Sequence, residues 1–172
     1  MESDKRHYPF EGTEPQVHGN AHVSRESTLV GDVTVEANAS VWPGVVLRGD
    51  VGPVVVGRES HIGDNATIHA SHLGERVMVG HGAVLNEATV EDGALIGFNA
   101  AISEATVGRG SIVAMGTNVL PGMDIPPKSF VFGTPAQYVP LSESTVNTEG
   151  VFESYSSGEY TNLAARHEAL FD

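Results

Sequence analysis

Residues 54–119 read VVVGRESHIGDNATIHASHLGERVMVGHGAVLNEATVEDGALIGFNAAISEATVGRGSIVAMGTNV, and this stretch decides the fold. Three columns of aliphatic residues recur in it every 17 positions: Val56, Leu73, Val90 and Val107; Ile62, Val79, Ile96 and Val113; Ile68, Leu85, Ile102 and Val119. Successive columns lie six, six and five residues apart, so each repeat reads as a three-sided coil with one aliphatic side chain directed inward per side. Stacked coils of this kind pair as parallel strands about 4.8 Å apart. The spacing excludes an amphipathic helical bundle. Glycine often follows the inward residue, as at Gly57, Gly63, Gly74, Gly80, Gly97 and Gly108, which predicts a relaxed backbone at each corner. A small residue, Ala66, Ala83, Ala100 or Thr117, stands two positions before each member of the third column.

Outward from this core the pattern loosens. Residues 17–47 carry it less strictly, so the coil proper is expected from about residue 17 within a β-helical body spanning 1–127. Pro126-Pro127 is expected to end it, because proline removes a ladder donor. Residues 128–158 read as an extended crossover followed by a Ser-, Glu-, Gly- and Thr-rich linker. Residues 159–171 read as a short amphipathic helix with Tyr160, Leu163, Ala164, His167 and Leu170 on one face, packed on the coil. The fold class is therefore an all-β solenoid with a C-terminal α-helix. The outward residues beside the second column are His61, Met78, Leu95 and Ile112. Such an apolar stripe predicts a subunit surface, with closed three-fold packing of like chains as the natural solution.

Composition narrows the function. The chain has 172 residues, 22 acidic against 9 basic side chains, a net charge of −13 and no cysteine. Disulfides, thiolate metal sites and cysteine nucleophiles are excluded. The negative field disfavours nucleic acid and anionic membranes as partners. The scarcity of lysine beside so many carboxylates reads as adaptation to high salt. No apolar run approaches membrane-spanning length and the first residues are polar, so a cytoplasmic protein is expected.

The repeat also places the residues that carry chemistry. His69 follows inward Ile68, and Asn86 follows inward Leu85 one coil later, so the two belong side by side on one face. His81 follows Gly80 and belongs to another face, in the column of Asp64; it reaches the His69/Asn86 pair only from a neighbouring chain. The segments VWPGVVLRGDVGPVVVG (41–57), IGDNATIH (62–69), VGHGAVLN (79–86), VEDGALIGFNA (90–100) and GTPAQYV (133–139) resemble the γ-class carbonic anhydrases, which are left-handed parallel β-helices. The resemblance implies a homotrimer that hydrates carbon dioxide reversibly to bicarbonate with a divalent metal, zinc first, iron or cobalt as alternatives. Three histidines, two from one subunit and one from the next, hold the metal in that family. His69 and His81 match two of them, and Asn86 stands where the third is expected, a weaker donor than imidazole. His72 and Glu87 are the substitutes within reach of the sequence.

Two further departures stand out: His61 occupies a family asparagine position, and Gly63 occupies that of the glutamine that orients water. Arg48 and Asp50 of LRGD match, with Arg48 implied to pair across the interface with Asp64. Tyr160 matches a tyrosine near the site. Only 12 positions separate His69 from His81, too few for the long acidic loop of some members. The competing readings are a catalytically silent trimeric scaffold and, more remotely, a hexapeptide-repeat acyltransferase or a thioesterase acting on coenzyme A esters.

Overall fold

The structure, a computed structural model, describes residues 6–146 and 163–171. One face of the solenoid stacks β3 (His22–Val23), β5 (Ser40–Val41), β7 (His61–Ile62), β10 (Met78–Val79), β13 (Leu95–Ile96), β16 (Ile112–Val113) and β19 (Ser129–Phe132), all parallel. The second face stacks β8 (Thr67–His69), β11 (Val84–Asn86), β14 (Ala101–Ser103) and β17 (Asn118–Val119). The third stacks β9 (His72–Leu73), β12 (Thr89–Val90), β15 (Thr106–Val107) and β18 (Asp124–Ile125). Two long strands, β4 (Thr28–Val35) and β6 (Val46–Val56), run round the corner and join the second and third faces into one sheet. β1 (Arg6–Tyr8) and β2 (Gln16–Val17) pair with β4, so strand pairing starts at Arg6, ahead of the expected residue 17.

All twelve residues of the three aliphatic columns are 2% exposed or less. Each such burial contributes about 1.5–3 kcal/mol relative to exposure, and together these residues form one continuous core cluster. Thr117, in the alanine column, is buried with an unpartnered hydroxyl. The 17-residue register holds for Ile62↔Val79↔Ile96↔Val113. It is 18 for Val23↔Val41 and Val113↔Val131, and 21 for Val41↔Ile62. That irregularity is why the pattern reads loosely before residue 47. The three additional residues of the long coil (21 − 18) fall in β6, where the register with β4 jumps from Gly31↔Gly49 to Val33↔Val54.

Three expectations need correction. The glycines that follow inward residues do not adopt positive φ; the left-handed corners are made by residues such as Asn65, Glu87, Asn99 and Glu104. Glycine is needed at Gly80 because the next coil lies close: a Cβ there would sit 2.6 Å from Phe98 Cδ1 and 2.8 Å from Phe98 N. The solenoid also continues past Pro126-Pro127, since β19 still pairs with β16 before β20 (Gln137–Pro140) returns antiparallel on it. Finally, the outward stripe is not a free surface. His61, Met78 and Ile112 are 8%, 9% and 5% exposed in the single chain, and with Leu95 and Phe130 they line an apolar groove. Among the exposed apolar side chains, Phe98, Met115, Val84 and Leu120 lie at the next corner and along the second face, and others, Val51 above all, lie elsewhere.

The C-terminal helix forms two short turns, α1 (Leu163–Arg166) and α2 (Glu168–Phe171), broken at His167. Ala164 and Phe171 bury against Trp42, whose ring meets those of Phe171, His167 and His61 at centroid distances of 5.3, 5.7 and 5.4 Å. No helix among the described residues is long and apolar enough to cross a membrane. The Trp42 indole N–H donates to His61 Nδ1 at 3.0 Å, with Ser40 Oγ also 3.0 Å from that nitrogen. An indole only donates, so Nδ1 must present a lone pair. Burial pushes the His61 ring down to about 4 from an ordinary 6.5, and the charge of His81 adds to this against the opposing pull of Asp64.

Above about pH 6.5 the ring is neutral in both folded and unfolded chains. Between pH 6.5 and 4 the unfolded chain binds a proton that the folded chain refuses, so stability is lost as pH falls through that window, by about 3 kcal/mol in all. Trp42 is the single tryptophan. Its fluorescence during thermal unfolding should show a melting temperature that drops between pH 6.5 and 4, and His61→Asn should flatten that limb. An equally steep limb in the variant would contradict the assignment.

Candidate functional site

The parallel register sets Arg48, His69, Asn86 and Ser103 in one row across β6, β8, β11 and β14. His69 is half-enclosed there, with its side chain 15% exposed. Its Nδ1 lies 2.7 Å from Asn86 Oδ1, and its Nε2 lies 2.9 Å from Asp50 Oδ1. Asp50 Oδ2 accepts from Arg48 Nε at 3.3 Å. A continuous chain results: Arg48, Asp50, His69, Asn86. Asp50 reaches the row because it lies in the bulged part of β6, two residues beyond Arg48.

Both neighbours of the His69 ring offer oxygen acceptors. An ionised carboxylate only accepts, so the Nε2–H donates to Asp50 Oδ1; a ring protonated on both nitrogens donates to Asn86 Oδ1 as well. Desolvation pushes the Asp50 carboxyl up. The hydrogen bond from His69, that from the Asp50 backbone N–H, and the charges of Arg48 and His69 outweigh it, so the group is held below its ordinary value.

His81 occupies the turn after β10, on the corner that precedes the second face. Its Nδ1 is 2.8 Å from Asp64 Oδ2 and 3.1 Å from the Asp64 backbone N. The Asp64 backbone N–H donates to Nδ1, and Asp64 Oδ2 lies against the same nitrogen, so both contacts hold the ring through Nδ1. The ring stacks on Phe98, one coil on, at a centroid distance of 5.1 Å. His81 is thus held ready on an exposed corner, 58% open to solvent. Among the described residues no three His, Cys, Asp or Glu side chains of one chain converge as a metal set. One chain brings together two imidazole–carboxylate pairs, His69 with Asp50 and His81 with Asp64.

His72 lies in β9 on the third face, away from this row, and Glu87 is exposed at a corner with φ 50°. Tyr160 lies outside the described residues. Arg48, expected to meet Asp64 of another chain, pairs within its own chain with Asp50, while Asp64 holds His81. Sequence reasoning missed the Asp50–His69 contact and the Phe98 platform. The second was available from the 17-residue column that runs Asp64, His81, Phe98, Met115; the first was hidden by the bulge. Gly63 also has a role that its spacing alone does not reveal. A Cβ there would meet His81 N, His81 Nδ1 and Val79 O, each at 3.0 Å. Gly63→Gln should therefore push the His81 ring off Asp64 and lower stability by about 1–3 kcal/mol. Thermal unfolding together with the His81 imidazole NMR shifts checks this, and an unchanged melting temperature with unmoved shifts would refute it.

Comparison with known proteins agrees with this architecture. The hexapeptide repeat of succinyl-transferase matches residues 53–87 and 88–121. A carbonic anhydrase of Geobacillus kaustophilus is 39% identical over 37% of this chain and 35% of its own length. The mitochondrial gamma carbonic anhydrase 1 of Arabidopsis thaliana is 34% identical over 90% of this chain and 60% of its own. The chain thus spans less than two thirds of the length of these curated relatives. A solved Bacillus cereus protein, provisionally called an acetyltransferase, superposes with a TM-score of 0.89 at 29% identity, covering 98% of this chain and 99% of its own. The repeat, the stacked parallel coils and these relatives make the chain a member of the hexapeptide-repeat superfamily to which the γ-class carbonic anhydrases belong.

Proposed function

We propose that the chain is a γ-carbonic-anhydrase-like protein that assembles as a homotrimer and hydrates carbon dioxide slowly, at sites shared between subunits. The observation that carries this reading is the oriented pair of imidazoles. Asp50 and Asn86 fix the ring of His69, and Asp64 holds the ring of His81 through Nδ1 on a side chain 58% open to solvent. Orienting carboxylates of this kind accompany metal-binding histidines. The donor chemistry fits a divalent metal, zinc, iron or cobalt, held by His69 of one chain and His81 of the next. When bound, the metal supplies Lewis-acid activation of water for attack on carbon dioxide.

The chain's own residues do the rest. Asp50 and Asp64 hold the two rings in their ligating orientation. Arg48, half exposed beside Asp50, offers its guanidinium to the bicarbonate anion. The exposed apolar side chains Val84, Phe98, Met115 and Leu120 flank these groups and give a second copy a surface to bury. Asn86 stands at the third histidine position, which weakens zinc binding and slows the reaction.

Purified protein should have a mass three times that of the 18.1 kDa chain by light scattering. Asn86→His should raise its zinc content and its hydration rate by about tenfold or more, and His69→Ala or His81→Ala should abolish both. A stable monomer, or a hydration rate indifferent to His69 and His81, would overturn the proposal; absence of hydration in every metal form would assign the chain as a silent scaffold. The match to the Bacillus cereus protein favours acyl transfer as a second reading, which acetyl transfer from coenzyme A to an amine or hydroxyl acceptor would reveal.

A further inference from the structure

We propose that Phe98 is a positioning residue for the shared site: its ring is the platform that fixes the plane of the His81 imidazole. This rests on the shared-site reading above and deepens it. Both contacts from Asp64, the 2.8 Å approach of Oδ2 and the 3.1 Å bond from the backbone N–H, reach the same nitrogen, Nδ1. A ring held at one nitrogen can still swing about that anchor, and this side chain is 58% open to solvent. The Phe98 ring removes the remaining freedom. It lies against the imidazole face at a centroid distance of 5.1 Å, with 23° between the planes. At that distance near-parallel rings are offset rather than eclipsed, the stacked arrangement in which aromatic rings attract. A histidine that must meet a partner on another chain needs this second restraint, because the orientation of the ring governs how well it serves.

The stack is built into the coil. Asp64, His81, Phe98 and Met115 stand 17 positions apart in one corner column, and Gly63, Gly80 and Gly97 precede the first three. The missing side chains let successive corners close on one another. A Cβ on Gly80 would sit 2.6 Å from Phe98 Cδ1, and one on Gly63 would sit 3.0 Å from His81 Nδ1. The ladder bond from the Asn99 N–H to His81 O, 3.0 Å long, holds the two corners in register. Phe98 is 44% exposed, whereas the other two corners of these coils carry the exposed residues Glu87, Glu104, Asp92 and Arg109. An aromatic ring thus stands at a corner position of the kind that elsewhere carries charge, and the imidazole is the ring it stacks on.

The test compares the full-length native protein with Phe98→Leu, Phe98→Met and Phe98→Tyr at equal assembled mass. The His81 ring protons are read by NMR in the metal-free protein and identified by their loss in His81→Ala. Binding of cobalt(II) chloride is read by calorimetry. In the native protein those protons should lie upfield, shielded by the phenyl ring, and they should move downfield in Phe98→Leu. Phe98→Leu should also weaken cobalt binding about tenfold while its melting temperature stays the same. Phe98→Tyr keeps the ring and should restore both readouts. Should Phe98→Leu fail to assemble, Phe98→Met keeps apolar bulk at the corner without an aromatic ring, and it should show the same two changes. Native affinity in Phe98→Leu or Phe98→Met, or no rescue by Phe98→Tyr, would overturn the platform role while leaving the shared site standing. His81 protons that do not move in the Leu and Met variants would overturn the stack itself. Native protein that binds no cobalt would overturn the shared site, and the positioning role with it.

Discussion

Each coil must hydrogen-bond to the one before it in parallel register, and every side chain of the site is where it is because of that constraint. Parallel strands about 4.8 Å apart turn a sequence offset of 17 into nearest-neighbour contact. The core follows from it, since the inward residues of successive coils stack on one another in three columns. The glycines follow from it too. At Gly80 the backbone of the next coil comes so close that no side chain fits. The same rule carries His69 to Asn86 and His81 to Phe98, pairs that are adjacent only because the ladder makes them so.

A perfectly regular solenoid would put only ladder neighbours in contact. The site also depends on a departure from regularity. In β6 three additional residues bulge out between Gly49 and Val54, and Asp50 returns to His69, 19 positions away, outside the 17-residue rule. The added residues thus convert a row of stacked side chains into a charged, hydrogen-bonded chain running from Arg48 to Asn86. Irregular coils also carry the other polar cluster. Trp42 and His61 meet across the 21-residue coil, and Trp42 then seats the C-terminal turns. Local irregularity adds the polar contacts the ladder does not make, Asp50 to His69 and Trp42 to His61, while the regular coils supply the apolar core and the pairs His69–Asn86 and Asp64–His81.

That division explains what the sequence made legible. The twelve aliphatic positions, the faces of His69, Asn86 and His81, and the pairing of His69 with Asn86 all follow from a fixed period, and the structure places each accordingly. The start at Arg6, the continuation to β19 and the Asp50–His69 contact did not follow, because offsets of 18 and 21 break the count. The stripe His61, Met78, Leu95, Ile112 was visible as an outward row, but a period gives no information on whether a row is covered within the chain. The role of glycine was misjudged for a related reason. Composition shows that a side chain is missing, and only the distance to the next coil shows whether φ or space demands it.

The central claim is that neither chain alone holds a complete site, and mixing tests it most directly. A His69→Ala chain keeps His81, and a His81→Ala chain keeps His69. Each alone should bind no cobalt(II). Co-assembled, about a quarter of the shared sites should regain both histidines by random assortment around a closed ring, and cobalt binding should return to that extent. Full binding by either variant alone, or no recovery in mixed assemblies of confirmed trimeric mass, would contradict the account.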